Sequence, residues 1–168
     1  TNRILILAYA LLGKTVLAPS PVYPPHIPFT SRVGRIPVRS MGDMVRAEVK
    51  ARGITEKPHI FGEVATQMRA EHGDDVLAQR LTSAVDELLL ENSIVLIEGL
   101  RGTAEREVFA NHWEDNFLVV AVTASKELRF QRVVSRARSE DGTLSDLEQR
   151  DAREAGWGLK TIISEANY

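Results

Sequence analysis

Three short apolar runs, Arg3–Leu7 (RILIL), Ile94–Ile97 (IVLI) and Phe117–Val122 (FLVVAV), are set apart by stretches whose apolar residues recur at helical spacing. A run that is apolar at successive rather than alternate positions suits a strand buried on both faces. A fourth candidate strand, Ile36–Arg39, is weakened by Pro37, which cannot donate to a ladder. Helical spacing over Asp43–Arg52, Ile60–Glu71, Val76–Leu90, Glu105–Trp113, Lys126–Arg138 and Leu144–Ala155 predicts helices between and after the strands. The alternation predicts an α/β chain whose parallel sheet is covered on both faces, with ligands gathered where the strands end.

At 168 residues, one domain spanning 1–168 is expected, large enough to bury its own core. The chain has no cysteine, which excludes disulfides and thiolate metal sites. Its 21 basic and 23 acidic residues leave a net charge of −2, so no global field favours nucleic acid. The four histidines (His26, His59, His72, His112) lack ligand spacing. The longest apolar run, Ile4–Leu12, is far short of the roughly 20 residues of a membrane span. No basic, secretory-type start is visible, and a soluble, cytoplasmic protein without membrane partners is expected. Five of seven prolines (Pro19, Pro21, Pro24, Pro25, Pro28) make 18–34 an atypical Pro-rich segment that cannot be a continuous helix.

Chemistry is sought directly after each strand. The first is followed by Ala8-Tyr9-Ala10-Leu11-Leu12-Gly13-Lys14-Thr15, the phosphate-loop pattern GxxxxGK[ST] with Ala8 in place of its first glycine. In such a loop backbone N–H groups curl round phosphate, the lysine neutralises it and the hydroxyl holds magnesium. The alternative is an incidental Gly-Lys-Thr, and Tyr9, Leu11 and Leu12 are bulky for an anion nest. After the second strand, Ser40 or Asp43 can cap the next helix. Asp43 and Arg46 share one face there, as a surface ion pair or a phosphate grip. After the third, Glu98-Gly99-Leu100-Arg101-Gly102 is either a solvated turn or a magnesium-side acid followed by an anion-binding arginine. After the fourth, Arg129, Arg132 and Arg136 recur at helical spacing, with Arg138, Arg150 and Arg153 beyond. They are either salt-bridged to the interspersed acids or the cations of a lid that closes over polyphosphate. Trp113 and Trp157 are read as packing residues.

Taken together these segments resemble adenylate kinase and its relatives among P-loop nucleotide kinases. The carriers are SMGDMVRAEVKARG (40–53), IVLIEGLRG (94–102), ELRFQRVVSRAR (127–138) and RDAREAGWGL (150–159). With EHGDDVLAQR (71–80), the pattern is most similar to an archaeal family of adenylate-kinase-related proteins likened to dephospho-CoA kinases. The resemblance implies a three-layer α/β/α P-loop nucleoside-triphosphate hydrolase fold with a small helical lid inserted at about 136–153. It implies ATP as co-substrate and Mg2+ as cofactor. Gly13, Lys14 and Thr15 would bind the donor phosphates, with Thr15 and, partly through water, Glu98 on the metal. Arg132 and Arg136 would lie along the donor nucleotide. Asp43, Arg46 and Arg101 would meet the acceptor. Lys14, Arg101, Arg150 and Arg153 would act on the transferring phosphoryl group. Two departures stand out: Ala8 for a family glycine, and the Pro-rich segment where relatives continue into a helix.

The expected function is therefore ATP-dependent phosphoryl transfer to a small nucleotide or nucleotide-like acceptor. Two alternatives stay open: a dephospho-CoA kinase-like enzyme with Asp43 as base, and a catalytically impaired nucleotide-binding module in which the Pro-rich strip docks a partner.

Overall fold

The computed structural model describes residues 3–9, 36–57, 59–136 and 142–168. Gly13, Lys14, Thr15 and the Pro-rich segment lie outside them, as do residues 137–141 of the expected lid. Four strands form one parallel sheet: β1 (Arg3–Tyr9), β2 (Val38–Ser40), β3 (Ile94–Leu100) and β4 (Phe117–Val122), in the order β2-β3-β1-β4. Helices α1 (Met41–Ala51), α2 (Ile60–His72) and α3 (Val76–Leu89) separate β2 from β3, and α4 (Thr103–Trp113) separates β3 from β4. Helices α5 (Lys126–Arg136), α6 (Leu144–Gly156) and α7 (Leu159–Ser164) follow. The sheet is α/β and parallel, as the apolar runs predict.

The second strand starts only after Pro37. Having no N–H, proline stays off the ladder, but its carbonyl accepts the N–H of Leu96 at 2.9 Å. In β3, residues 95 to 98 are buried in succession, as a strand covered on both faces requires. This strand runs past the apolar stretch, which corrects the placement of Glu98 after it. Glu98 is within the ladder, paired in register with Ser40 of β2 and Leu7 of β1. The register then slips, so that Ala8 faces Leu100. Gly99 makes this possible with φ +92°, a left-handed conformation that only glycine adopts without strain.

One apolar cluster holds the layers together, with Val95, Ile97 and Leu100 of β3 meeting Val45 and Val49 of α1, Val64 and Met68 of α2, and Leu81 and Val85 of α3. Phe109 and Trp113 of α4 stack at 5.2 Å, and Ile162 of α7 closes the cluster. Helix α4 begins two residues before the predicted Glu105. Glu105 is its third residue and reaches back to the Gly102 N–H at 2.9 Å, so a residue read as the helix start is its cap partner. Helix α6 opens on a full capping box, the Asp146 carboxylate accepting the Thr143 N–H at 2.6 Å while the Thr143 hydroxyl accepts the Asp146 N–H at 3.3 Å.

Helix α7 is absent from the sequence prediction because a short helix carries too few turns to show a period. Gly158 joins it to α6 with φ +98°, and a Cβ there would lie 2.5 Å from Thr103 Cγ2. Gly158→Ala is therefore expected to cost about 1–3 kcal/mol from backbone strain and crowding together. Urea denaturation measures it, and Thr103→Ala in the same chain should recover the crowding part only. An unchanged midpoint would mean that the α6–α7 turn is adaptable.

Candidate functional site

The register aligns Ser40, Glu98, Leu7 and Val120 in one row across the sheet near its carboxyl edge. Strand order reverses at β1, between β3 and β4, which is where open parallel sheets offer a crevice. Glu98 puts a carboxylate in that row at 5% exposure.

On one side of the row stands the start of α1. Ser40 occupies the cap position without a side-chain cap hydrogen bond, so the capping expected of it does not form. Asp43 instead accepts Arg46 Nε at 3.1 Å and Nη2 at 2.6 Å. Arg46 folds back over Gly42, whose backbone N is 3.8 Å from where a Gly99 Cβ would sit. Thus the Asp43–Arg46 pair rides on the helical turn that packs against the residue after Glu98. In its present form it is a partly exposed ion pair, worth about 0–1 kcal/mol.

On the other side, the chain leaving β3 meets α2 and α6. Arg101 Nε lies 3.0 Å from Glu154 Oε1 of α6, and that glutamate is buried. Arg69 of α2 donates through Nη2 to Glu105 Oε1 at 2.5 Å and through Nη1 to the Ala65 carbonyl at 3.0 Å. Its guanidinium also lies 4.0 Å over the Trp157 ring. Burial pushes the Glu105 carboxyl above the ordinary carboxylate range, against the pull of Arg69 and of the Gly102 and Arg101 N–H groups. Arg153 of α6 approaches the same ring at 5.8 Å, and its guanidinium rests against Gly62 of α2.

Three guanidiniums thus face two buried carboxylates, and Arg153 is the surplus. Its Nε is buried without a hydrogen-bond partner among the described residues. Burial pushes its proton affinity below the usual arginine range; Glu154 and Glu63 oppose the shift, while Arg101 and Arg69 add to it.

Of the two readings of the α5 arginines, Arg129 takes the salt-bridged one. Its two terminal nitrogens grip Asp151 of α6 at 2.7 and 2.6 Å, one turn along from Lys126 on Glu148 at 2.7 Å. Arg132 keeps Nη1 buried without a hydrogen-bond partner among the described residues. Arg150 lies half-buried on α6, one turn before Arg153. The side chain of Arg136 lies outside the described residues. The structure therefore brings Arg101 and Arg153 to one cluster and packs the α1 turn that carries Asp43 and Arg46 against Gly99, the residue after Glu98. Among the described residues no group of three histidine, aspartate or glutamate side chains converges as a metal site, and no helix is long and apolar enough to cross a membrane.

Sequence reasoning missed Arg69, Glu105, Glu154 and Gly62. Glu105 had a local signal, since a glutamate three residues after Gly102 is half of a capping box. The other three had none, because each takes its role from a residue distant in sequence.

No family model matches the chain. It is 36% identical over 166 residues to a UPF0200/UPF0201 protein of Archaeoglobus fulgidus, covering 98% of this chain and 48% of that protein. It is 39% identical over 133 residues to a UPF0200 protein of Methanosarcina acetivorans, covering 79% of this chain and 70% of that protein. With a UPF0200 protein of Hyperthermus butylicus the identity is 40% over 134 residues, with 79% and 70% covered. The chain thus spans about half the length of the Archaeoglobus relative and about 70% of the other two. At this identity over so much of those shorter relatives, the chain belongs to the UPF0200 family.

Proposed function

We propose that the chain transfers a phosphoryl group from ATP to a small nucleotide or nucleotide-like acceptor, in the manner of the adenylate-kinase-related P-loop proteins it resembles. One observation carries the reading: Arg153 is a partly desolvated cation, crowded by Arg69 and Arg101, whose Nε has no hydrogen-bond partner among the described residues. An anion entering beside it relieves both the desolvation and the repulsion from Arg69 and Arg101. Phosphoryl transfer is the chemistry such a cluster suits, because its catalysis is mostly positioning and charge stabilisation.

The parallel order with β1 between β3 and β4 is compatible with the P-loop fold, and sheets of this kind gather ligands at the carboxyl ends of their strands. Gly13, Lys14 and Thr15 are assigned to those phosphates, Arg132 and Arg136 to the donor nucleotide, Asp43, Arg46 and Arg101 to the acceptor, and Arg150 and Arg153 to the group in transit. A magnesium ion would be held by Thr15 and, through water, by Glu98, whose buried carboxylate supplies the hard oxygen donor such an ion takes. When bound, that ion supplies charge neutralisation on the donor phosphates.

The test is a thermal melt with and without Mg-ATP. At 100 times its dissociation constant the ligand should add about 2.7 kcal/mol, or roughly 5–11 °C for a chain of this size. Lys14→Ala should abolish the shift. A coupled ADP-release assay across nucleoside monophosphates and dephospho-CoA then identifies the acceptor. A melt indifferent to Mg-ATP, with no ADP release, overturns the proposal.

A further inference from the structure

We infer that Gly62 is a positioning residue for this phosphate site: its missing side chain leaves the notch on α2 that seats the Arg153 guanidinium. The inference rests on the reading of Arg153 as the surplus cation of the site. A methyl group at Gly62 would overlap Cζ and both terminal nitrogens of Arg153. Those atoms are the far end of a flexible side chain, so an alanine displaces the arginine and leaves the helix in place.

Nothing in the backbone asks for glycine here. Gly62 lies in the first turn of α2, its N–H bonded to the His59 carbonyl at 3.1 Å, and glycine is a poor helix former. Its local cost is explained by what occupies the vacated volume. The far wall of the seat is Trp157, whose ring lies 5.8 Å from the Arg153 guanidinium and 4.0 Å from that of Arg69.

Shape adds to charge in holding the cation: Glu154 and Glu63 attract it, but neither fixes where the guanidinium sits as the notch does. The first turn of a helix is its positive end, and Arg69 and Arg101 add to the positive potential. A guanidinium kept there is poised for an incoming oxyanion, which would find Arg153 already close to the Arg101 side chain. Without the notch Arg153 regains its rotamers, and the anion must order it again on binding.

The experiment titrates inorganic pyrophosphate into the 168-residue chain by calorimetry, with tryptophan emission as a second readout because Trp157 flanks the seat. The wild type is expected to bind, and Gly62→Ala to bind at least tenfold more weakly without a fall in melting temperature. Arg153→Ala should weaken binding as much, and adding Gly62→Ala to it should weaken binding no further. A merely structural glycine would weaken both backgrounds alike, and such additivity overturns the inference. So do wild-type affinity in Gly62→Ala, and absence of pyrophosphate binding by the wild type. Should Gly62→Ala melt early, the double variant, which lacks the obstructing guanidinium, must recover the wild-type midpoint; failure to recover also overturns it. Pyrophosphate binding requires no turnover. A chain that shows the Gly62–Arg153 coupling but transfers no phosphoryl group therefore sinks the kinase reading alone.

Discussion

Glu105→Ala is expected to lower the unfolding free energy by about 3–5 kcal/mol, the usual cost of removing one partner from a buried ion pair. Glu105 is 0% exposed and Arg69 6%, so the deletion strands a guanidinium where water cannot reach it. The same carboxylate accepts the Gly102 N–H at 2.9 Å and lies 3.4 Å from that of Arg101, so the start of α4 loses its cap at the same stroke. For a chain of this length the midpoint should fall by roughly 6–20 °C in a thermal melt. Replacing both partners, as in Glu105→Leu with Arg69→Met, should recover much of the loss, because the desolvation of both charges is then no longer required. A single-variant loss under about 1 kcal/mol would show that the pair is not a strut of the fold. The pH dependence has a definite sign. Burial raises the folded-state pKa of Glu105, so its contribution to stability is complete below the ordinary carboxylate value and is lost as pH rises through the raised one. The deficit of Glu105→Gln relative to wild type should therefore widen on acidification. Asp146 contributes in the opposite sense, since the Thr143 hydroxyl and N–H hold it low and its share is lost in acid.

What the sequence made legible divides by distance along the chain. The run FLVVAV predicted β4 residue for residue, and Val76–Leu90 overran the end of α3 by one residue, because periodicity is a local property. Glu98 was misplaced because apolarity stops before the strand does: β3 continues through an acid and a left-handed glycine to reach the buried Leu100. For the candidate site the limit is sharper. The spacing of Arg129, Arg132 and Arg136 showed that they share a face, but not that Arg129 turns to Asp151 while Arg132 Nη1 is buried without a hydrogen-bond partner among the described residues. The Arg69–Glu105 pair joins residues 36 apart, and no pattern in either segment announces the other. Gly62 is the extreme case, since its role is a volume filled from another helix. Residues whose partners lie within a turn were readable, and those matched only by tertiary packing were not.

That division bears on the largest functional effect, expected at Arg153. On the proposed kinase reading, Arg153→Leu should reduce phosphoryl transfer about a thousandfold, the lower end of what a transition-state arginine contributes. The same substitution should leave the melting temperature unchanged or raise it. The two expectations share one cause. In the free protein Arg153 is partly desolvated, its Nε has no hydrogen-bond partner among the described residues, and Arg69 and Arg101 both disfavour its charge. Leucine keeps an apolar stem beside Trp157 and removes a charge that Arg69 and Arg101 repel, and the buried Glu154, though it loses the attraction of Arg153, retains Arg101 at 3.0 Å. Arg101→Leu is the contrasting variant: it removes the guanidinium 3.0 Å from the buried Glu154 Oε1, so it should lose stability as well as activity. Measured side by side, melts and turnover separate a group retained for an anion from one retained for the fold. If Arg153→Leu melts several degrees lower, the arginine is a structural strut and its place in the transfer step is lost. If turnover survives the change, the cluster is not where the phosphoryl group passes.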